Sequence, residues 1–134
     1  AVRDALTDEW KARGVKEDVE YAILTDEMTK AWSGLSVKEY KELKGLKKEN
    51  LRDNMTDIEL VLNMLAEVTT TSLSKREQPG TFAENRAVAK RGGKFAGDTR
   101  KRFEEEIGEK VISPLNASDK PALEIKTNNN EDKD

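Results

Sequence analysis

The chain has 134 residues, of which 35% are hydrophobic and 38% charged, and its net charge is −3. This composition suits one domain with a thin core and predicts that part of the chain is exposed or unfolded. Because cysteine and histidine are both absent, disulfides, thiolate chemistry, histidine-based catalysis and the usual zinc sites are excluded. No apolar run approaches the roughly 20 residues that a membrane-spanning helix needs, so we expect no membrane partner.

The first third of the chain predicts short elements separated by turns. Residues 6–13 favour a short helix that ends at Gly14. Residues 20–24 are ambiguous between a strand and a helical turn, and we interpret them as a short extended segment. Residues 46–53, which follow Gly45, favour another short helix.

Residues 26–44 have the spacing of a helix-turn-helix motif, with a helix to about Trp32, a turn containing Gly34 and a second helix from Ser36. A capping box at the start of the second helix supports its N-terminus. That helix would present basic side chains to phosphates, namely Lys38, Lys41 and Lys44. The alternative is an ordinary helical hairpin with solvated lysines, since intervening glutamates cancel much of the charge.

The stretch 56–78 is the richest apolar segment and predicts a central helix around which the others pack. Thr56 and Glu59 form a capping box at its start, and Pro79-Gly80 stops it. Its apolar face is predicted from helical spacing and comprises Ile58, Leu60, Val61, Leu62, Met64, Leu65, Val68, Ser72 and Leu73. The fold class is therefore mainly α, a small multi-helix domain.

A third capping box opens a helix at Thr81, and Gly92-Gly93 is expected to interrupt it as a hinge or a tight turn. A further helical segment then runs to Ile107. The polar composition of residues 113–134 predicts a disordered tail, which leaves 1–112 as the helical interaction domain.

The basic segment, residues 90–102, reads KRGGKFAGDTRKR and has a single acid, Asp98. It lacks the spacing of a phosphate-binding loop. Its cations beside Phe95 could instead follow a nucleic-acid backbone. The candidate binding residues here are Lys90, Arg91, Lys94, Arg100, Lys101 and Arg102. The alternative is two helices joined by a flexible, solvated hinge.

The carboxylates near residues 104–109 raise the question of acid–base or magnesium chemistry. No acidic pair comes with an orienting partner at a diagnostic spacing, so a solvated helix end is the simpler interpretation. We therefore expect no catalytic residue, no metal site, no cofactor and no enzymatic activity.

Three segments of the chain resemble the C-terminal half of the DNA-damage-inducible protein D family of bacteria. They are residues 6–31, 34–67 and 82–113, and their most specific stretches are GLKKENLRDNMT and GGKFAGDTRK. Together they cover about two thirds of the chain. The family has no established catalytic residue to carry over.

The resemblance implies a cytoplasmic bacterial protein induced in the DNA-damage (SOS) response. It also implies an action on the recombinase filament that forms on single-stranded DNA, with strand exchange restrained. The alternative function is a duplex DNA-binding helix-turn-helix module of an antirepressor-like regulator. A homodimer is a further expectation, because the small apolar fraction favours burial of helix faces between two copies.

Overall fold

Five α-helices and one 3₁₀ turn form the secondary structure of residues 1–116, the part of the chain that this computed structural model describes. The elements are α1 (Val2–Ala12), α2 (Val19–Ser33), α3 (Val37–Leu43), the 3₁₀ turn (Arg52–Asn54), α4 (Asp57–Glu77) and α5 (Phe82–Ile107). The mainly α fold class is confirmed. Helix α5 packs along α2 and α4, α4 also contacts α1 and α2, and α3 packs on α2. Within residues 1–116, no helix combines the length and apolar character required to cross a membrane.

The three predicted capping boxes are confirmed at the starts of α3, α4 and α5. In each, the glutamate three residues after the cap accepts a hydrogen bond from the backbone N–H of the capping residue. The distances are 2.8 Å for Ser36–Glu39, 2.9 Å for Thr56–Glu59 and 3.2 Å for Thr81–Glu84.

Two local predictions are wrong. Residues 20–24 are not extended but form the first turns of α2, because Leu24, Met28 and Trp32 follow one another at a spacing of four and bury a single helical stripe. Residues 46–53 are not a helix and contain only the beginning of the 3₁₀ turn. Leu46 and Leu51 anchor this irregular segment to the core, which gives it no continuous helical face.

The glycine pair neither interrupts α5 nor forms a turn, because α5 is continuous through Gly92 and Gly93. The glycines lie where neighbouring helices approach closely. A Cβ atom on Gly92 would lie 2.8 Å from the backbone nitrogen of Thr70 in α4, and one on Gly93 would lie 2.7 Å from the Cβ of Ala31 in α2. The glycine pair therefore allows close contact between packed helices, and it acts neither as a hinge nor as a turn.

The buried side of α4 is more polar than predicted. Leu62 and Ala66 are buried, but so are Glu59, Asn63, Glu67, Thr70 and Ser74. Val61 and Val68, which were expected in the core, are 59% and 47% exposed. The polar side chains are buried because they have partners; for example, the Trp32 indole N–H donates to Asn63 at 3.2 Å.

The packed part of the chain continues beyond residue 112. Val111 is buried, the backbone N–H of Ser113 donates to Glu59 at 3.2 Å, and Lys44 donates to the carbonyls of Ser113 and Leu115. Residues 113–115 therefore belong with the helical domain rather than with the predicted disordered tail. The remainder of that prediction, from residue 117 onward, lies outside the described residues.

Candidate nucleic-acid interface on helix α5

Most of the basic residues of α5 are exposed to solvent, whereas its three internal glycines are buried. Five cations are exposed to solvent and define what we call the outer face of α5: Lys90, Arg91, Lys94, Lys101 and Arg102. The buried side carries Gly92, Gly93 and Gly97 against α2 and α4. Close packing of the glycine side thus fixes the direction in which the cations point.

Helical periodicity places three of the cations in one row. At 100° per residue, Lys90, Lys94 and Lys101 fall within about 40° of one another on the helix surface. The five cations extend over thirteen residues, from Lys90 to Arg102, or about 18 Å of helix. The sequence therefore produces a row of positive charge on a continuous helix, and the alternative of two helices joined by a flexible hinge does not hold.

Most of this charge is not neutralised within the domain. Arg91 pairs with Glu77 at 2.7 Å, which raises the pKa of Arg91, and Lys94 pairs with Asp98 at 3.3 Å. Both pairs are exposed, so they are weak in water and can be exchanged for an external anion. Within residues 1–116, Lys90, Lys101 and Arg102 make neither an ion pair nor a side-chain hydrogen bond.

Arg100, a predicted contact, instead has a structural role. Its side chain is only 16% exposed; Nε donates to the Trp32 carbonyl at 2.9 Å, and Nη1 pairs with Glu104 at 3.0 Å. Glu104 in turn accepts the backbone N–H of Val111 at 2.9 Å. Arg100 therefore joins the end of α2, helix α5 and the C-terminal segment, and we remove it from the candidate interface.

The structure separates the three lysines predicted on α3. Lys38 is exposed and Lys41 is half-buried, whereas Lys44 is fully buried and pairs with Glu59 at 2.7 Å. Lys44 therefore cannot contact DNA in this fold. The helix-turn-helix spacing is present, but α3 has only seven residues and buries Tyr40, so it presents a short and mixed outer surface.

A second cationic surface was not found by sequence reasoning. Arg3, Lys47 and Arg52 join Lys38 and Lys41 around a cleft between α2, α3 and the segment that leads to α4. These residues come from separate parts of the chain, and no local motif connects them. Only the packing of α1, α2 and α3 brings them together.

No protein-family model, curated protein or solved structure matched this chain in the comparisons with known proteins. The resemblance to the DNA-damage-inducible protein D family therefore depends on the three quoted segments alone.

Proposed function

We propose that this chain is a non-enzymatic binding protein of the bacterial DNA-damage response, acting in the cytoplasm on recombinase filaments assembled on single-stranded DNA. The outer face of α5 is the contact surface. The observation that carries the proposal is the group of five exposed cations on α5, only two of which pair with an acid within residues 1–116, in a chain whose net charge is −3. The family resemblance supplies the identity of the filament as the target.

A row of cations on a rigid helix suits a polyanion. Lysine and arginine contacts to phosphates release condensed counterions, and this release supplies a large share of nucleic-acid binding free energy. Because α5 is held by close packing on α2 and α4, its cations keep their spacing without a folding cost on binding. Phe95 is 55% exposed at the edge of this face and offers a ring on which an unstacked base can lie.

Binding of this domain to the filament would restrain strand exchange by blocking access to the DNA. A helix that lies along the phosphates, or along the filament groove beside them, excludes an incoming DNA strand from the same surface. This action needs no bond to be made or broken, in agreement with a binding role for the domain.

We also propose self-association through the outer face of α4, defined by Ile58, Val61, Leu65 and Val68. Val61 and Val68 are exposed, whereas Ile58 and Leu65 are partly buried against the core at the edge of this face. These residues alternate at spacings of three and four, as in the seam of a coiled coil. An antiparallel partner is favoured because α4 is acidic in its first turn and basic in its last, at Lys75 and Arg76. Opposite ends of two copies then lie side by side.

A titration with three ligands tests the functional proposal: bare single-stranded DNA, duplex DNA and recombinase filaments on single-stranded DNA, each at two salt concentrations. We expect the tightest binding to the filament, with a marked loss at the higher salt concentration. Equal affinity for bare single-stranded DNA would show that the recombinase is not recognised. Protection of one defined duplex site would favour the helix-turn-helix alternative.

A further inference from the structure

A cleft of about 780 Å³ opens between α2, α3 and the segment that follows α3. It continues inward to a smaller chamber of about 230 Å³ beside α4. Arg3, Thr25, Val37 and Lys41 line both volumes, so the two form one continuous site. The larger volume lies within the range typical of small-molecule sites.

The inner chamber has an excess of positive charge. Three cations line it, Arg3, Lys41 and Arg52, against one carboxylate, Glu67. Arg52 pairs with Glu67 at 3.2 Å and Arg3 lies 3.8 Å from the same carboxylate, while Lys41 makes no ion pair within residues 1–116. The formal surplus in this chamber is two positive charges.

One of these cations is incompletely satisfied among the described residues. The Nε atom of Arg52 is buried and has no hydrogen-bond acceptor among the described residues. Arg3 donates to the Thr25 hydroxyl at 2.8 Å, yet burial lowers the pKa of its guanidinium, with the attraction of Glu67 only partly opposing this effect. An unpaired buried donor is costly, so an external acceptor would be favoured here.

The outer part of the cleft is apolar at its floor. Ala22 and Ile23 from α2 line it together with Val37 from α3 and Leu46. The charged residues that line only this outer part balance, with Lys38 and Lys47 against Asp26 and Glu42. Among the described residues that line the two volumes, none is aromatic, so the site offers no surface for stacking a nucleobase. A short aliphatic group suits this floor better.

We propose that this cleft binds a small organic dianion, a phosphate monoester or a dicarboxylate, that carries a short apolar chain. Arg3, Lys41 and Arg52 hold the charged group in the inner chamber, where two negative charges balance the surplus. The apolar chain lies along Ile23, Val37 and Leu46. This site is separate from the outer face of α5 and does not depend on the proposed function.

Calorimetric titration of the full chain with n-hexyl phosphate and with n-hexylmalonate tests the proposal, with n-hexanol as the uncharged comparison. We expect saturable binding of at least one dianion and none of the alcohol. The stronger of the two dianions identifies the class of charged group that the site takes.

Two substitutions locate the binding. Lys41→Gln removes a cation that has no ion-pair partner within residues 1–116, so we expect the fold to be unchanged. Arg52→Gln removes a guanidinium whose Nε atom has no acceptor among these residues, although its Nη2 atom pairs with Glu67. We expect each to weaken dianion binding at least tenfold. Lys48→Gln, an exposed lysine outside the cleft, should bind as the wild type does. The proposal is overturned if neither dianion binds, if n-hexanol binds equally well, or if Lys41→Gln leaves the affinity unchanged.

Discussion

The Nζ atom of Lys44 lies 2.7 Å from a carboxylate oxygen of Glu59, and both side chains are completely buried. This ion pair joins the end of α3 to the first turn of α4. Glu59 also accepts hydrogen bonds from the Tyr40 hydroxyl and from the backbone N–H groups of Thr56 and Ser113. One carboxylate therefore caps a helix, neutralises a lysine and holds the C-terminal segment.

Lys44→Met should reduce the free energy of unfolding by about 3–5 kcal/mol, because it leaves the Glu59 carboxylate buried without its counter-charge. The double variant Lys44→Met/Glu59→Gln should be more stable than Lys44→Met alone, since glutamine keeps an acceptor for Thr56 but carries no charge. Urea denaturation measures both values. A loss below about 1 kcal/mol for Lys44→Met, as for an exposed pair, would contradict the buried network.

Gly93→Ala should destabilise the domain by about 1–3 kcal/mol, although alanine is the better helix former. The added methyl group would lie 2.7 Å from the Cβ of Ala31, and it would also meet the carbonyl oxygen of Met28. Gly80→Ala is the matched control, because a Cβ atom there meets only the flexible Glu84 side chain at 3.7 Å. Thermal melts compare the two variants. If Gly93→Ala raised the melting temperature, the close packing of α2 and α5 would be wrong.

Glu104 should contribute to the acid sensitivity of the fold. Burial by itself would raise the pKa of Glu104, but the hydrogen bonds from the Val111 N–H and from Arg100 outweigh it, and the folded-state pKa lies below the ordinary value. A carboxylate of this kind stabilises the fold fully above its unfolded pKa, about 4.3, and the contribution is lost as the pH falls through the folded pKa.

The variant Glu104→Gln should therefore be less stable than the wild type at pH 7, and the difference should shrink as the pH falls below about 4. Unfolding free energies measured across this range test the expectation. Glu105→Gln, which changes an exposed neighbour, should follow the wild-type curve. A constant difference between Glu104→Gln and the wild type at every pH would contradict the assigned hydrogen bonds.

Sequence reasoning located the helices better than their buried faces. Ser36, Thr56 and Thr81 were identified as caps because capping is a local interaction within four residues. The burial of Glu59 and Glu67 was not predicted, because it depends on Lys44, Arg3 and Arg52, which are distant along the chain. Hydrophobic spacing predicted that Val61 and Val68 lie in the core, but both are exposed. The buried side of α4 consists partly of polar side chains that have hydrogen-bond or ion-pair partners.

The basic segment shows a similar limit. Its charge was apparent from the sequence. The glycines were ambiguous, because a Gly-Gly pair is compatible both with a break in the helix and with a close approach of two helices. Only α2 and α4, which pack against these glycines, distinguish the two. The same packing places the Arg100 side chain against the Trp32 carbonyl, to which it donates a hydrogen bond, so Arg100 is not one of the exposed cations.

Self-association through the outer face of α4 predicts a concentration-dependent dimer in sedimentation equilibrium. Val61→Asp/Val68→Asp should make the chain monomeric, since two charges would be buried in the seam of the dimer. Val19→Asp is the matched control, because Val19 is 69% exposed on α2, away from that face. A wild-type chain that is monomeric at high concentration, or a dimer that survives the double substitution, would contradict this interface.

The most direct test of the central claim compares two triple variants with the same loss of charge. One carries Lys90→Gln, Lys94→Gln and Lys101→Gln on the outer face of α5. The other carries Lys11→Gln, Lys16→Gln and Lys48→Gln at exposed positions elsewhere. The measurement is the affinity for recombinase filaments on single-stranded DNA over a range of salt concentrations.

We expect at least a tenfold loss of affinity for the outer-face variant at low salt. We also expect its salt slope to be smaller by about two, because about 0.7 counterions are released for each phosphate contact on a single strand. The control variant should bind nearly as the wild type does. Equal affinities and equal slopes for the two triple variants would show that the outer face of α5 is not the contact surface.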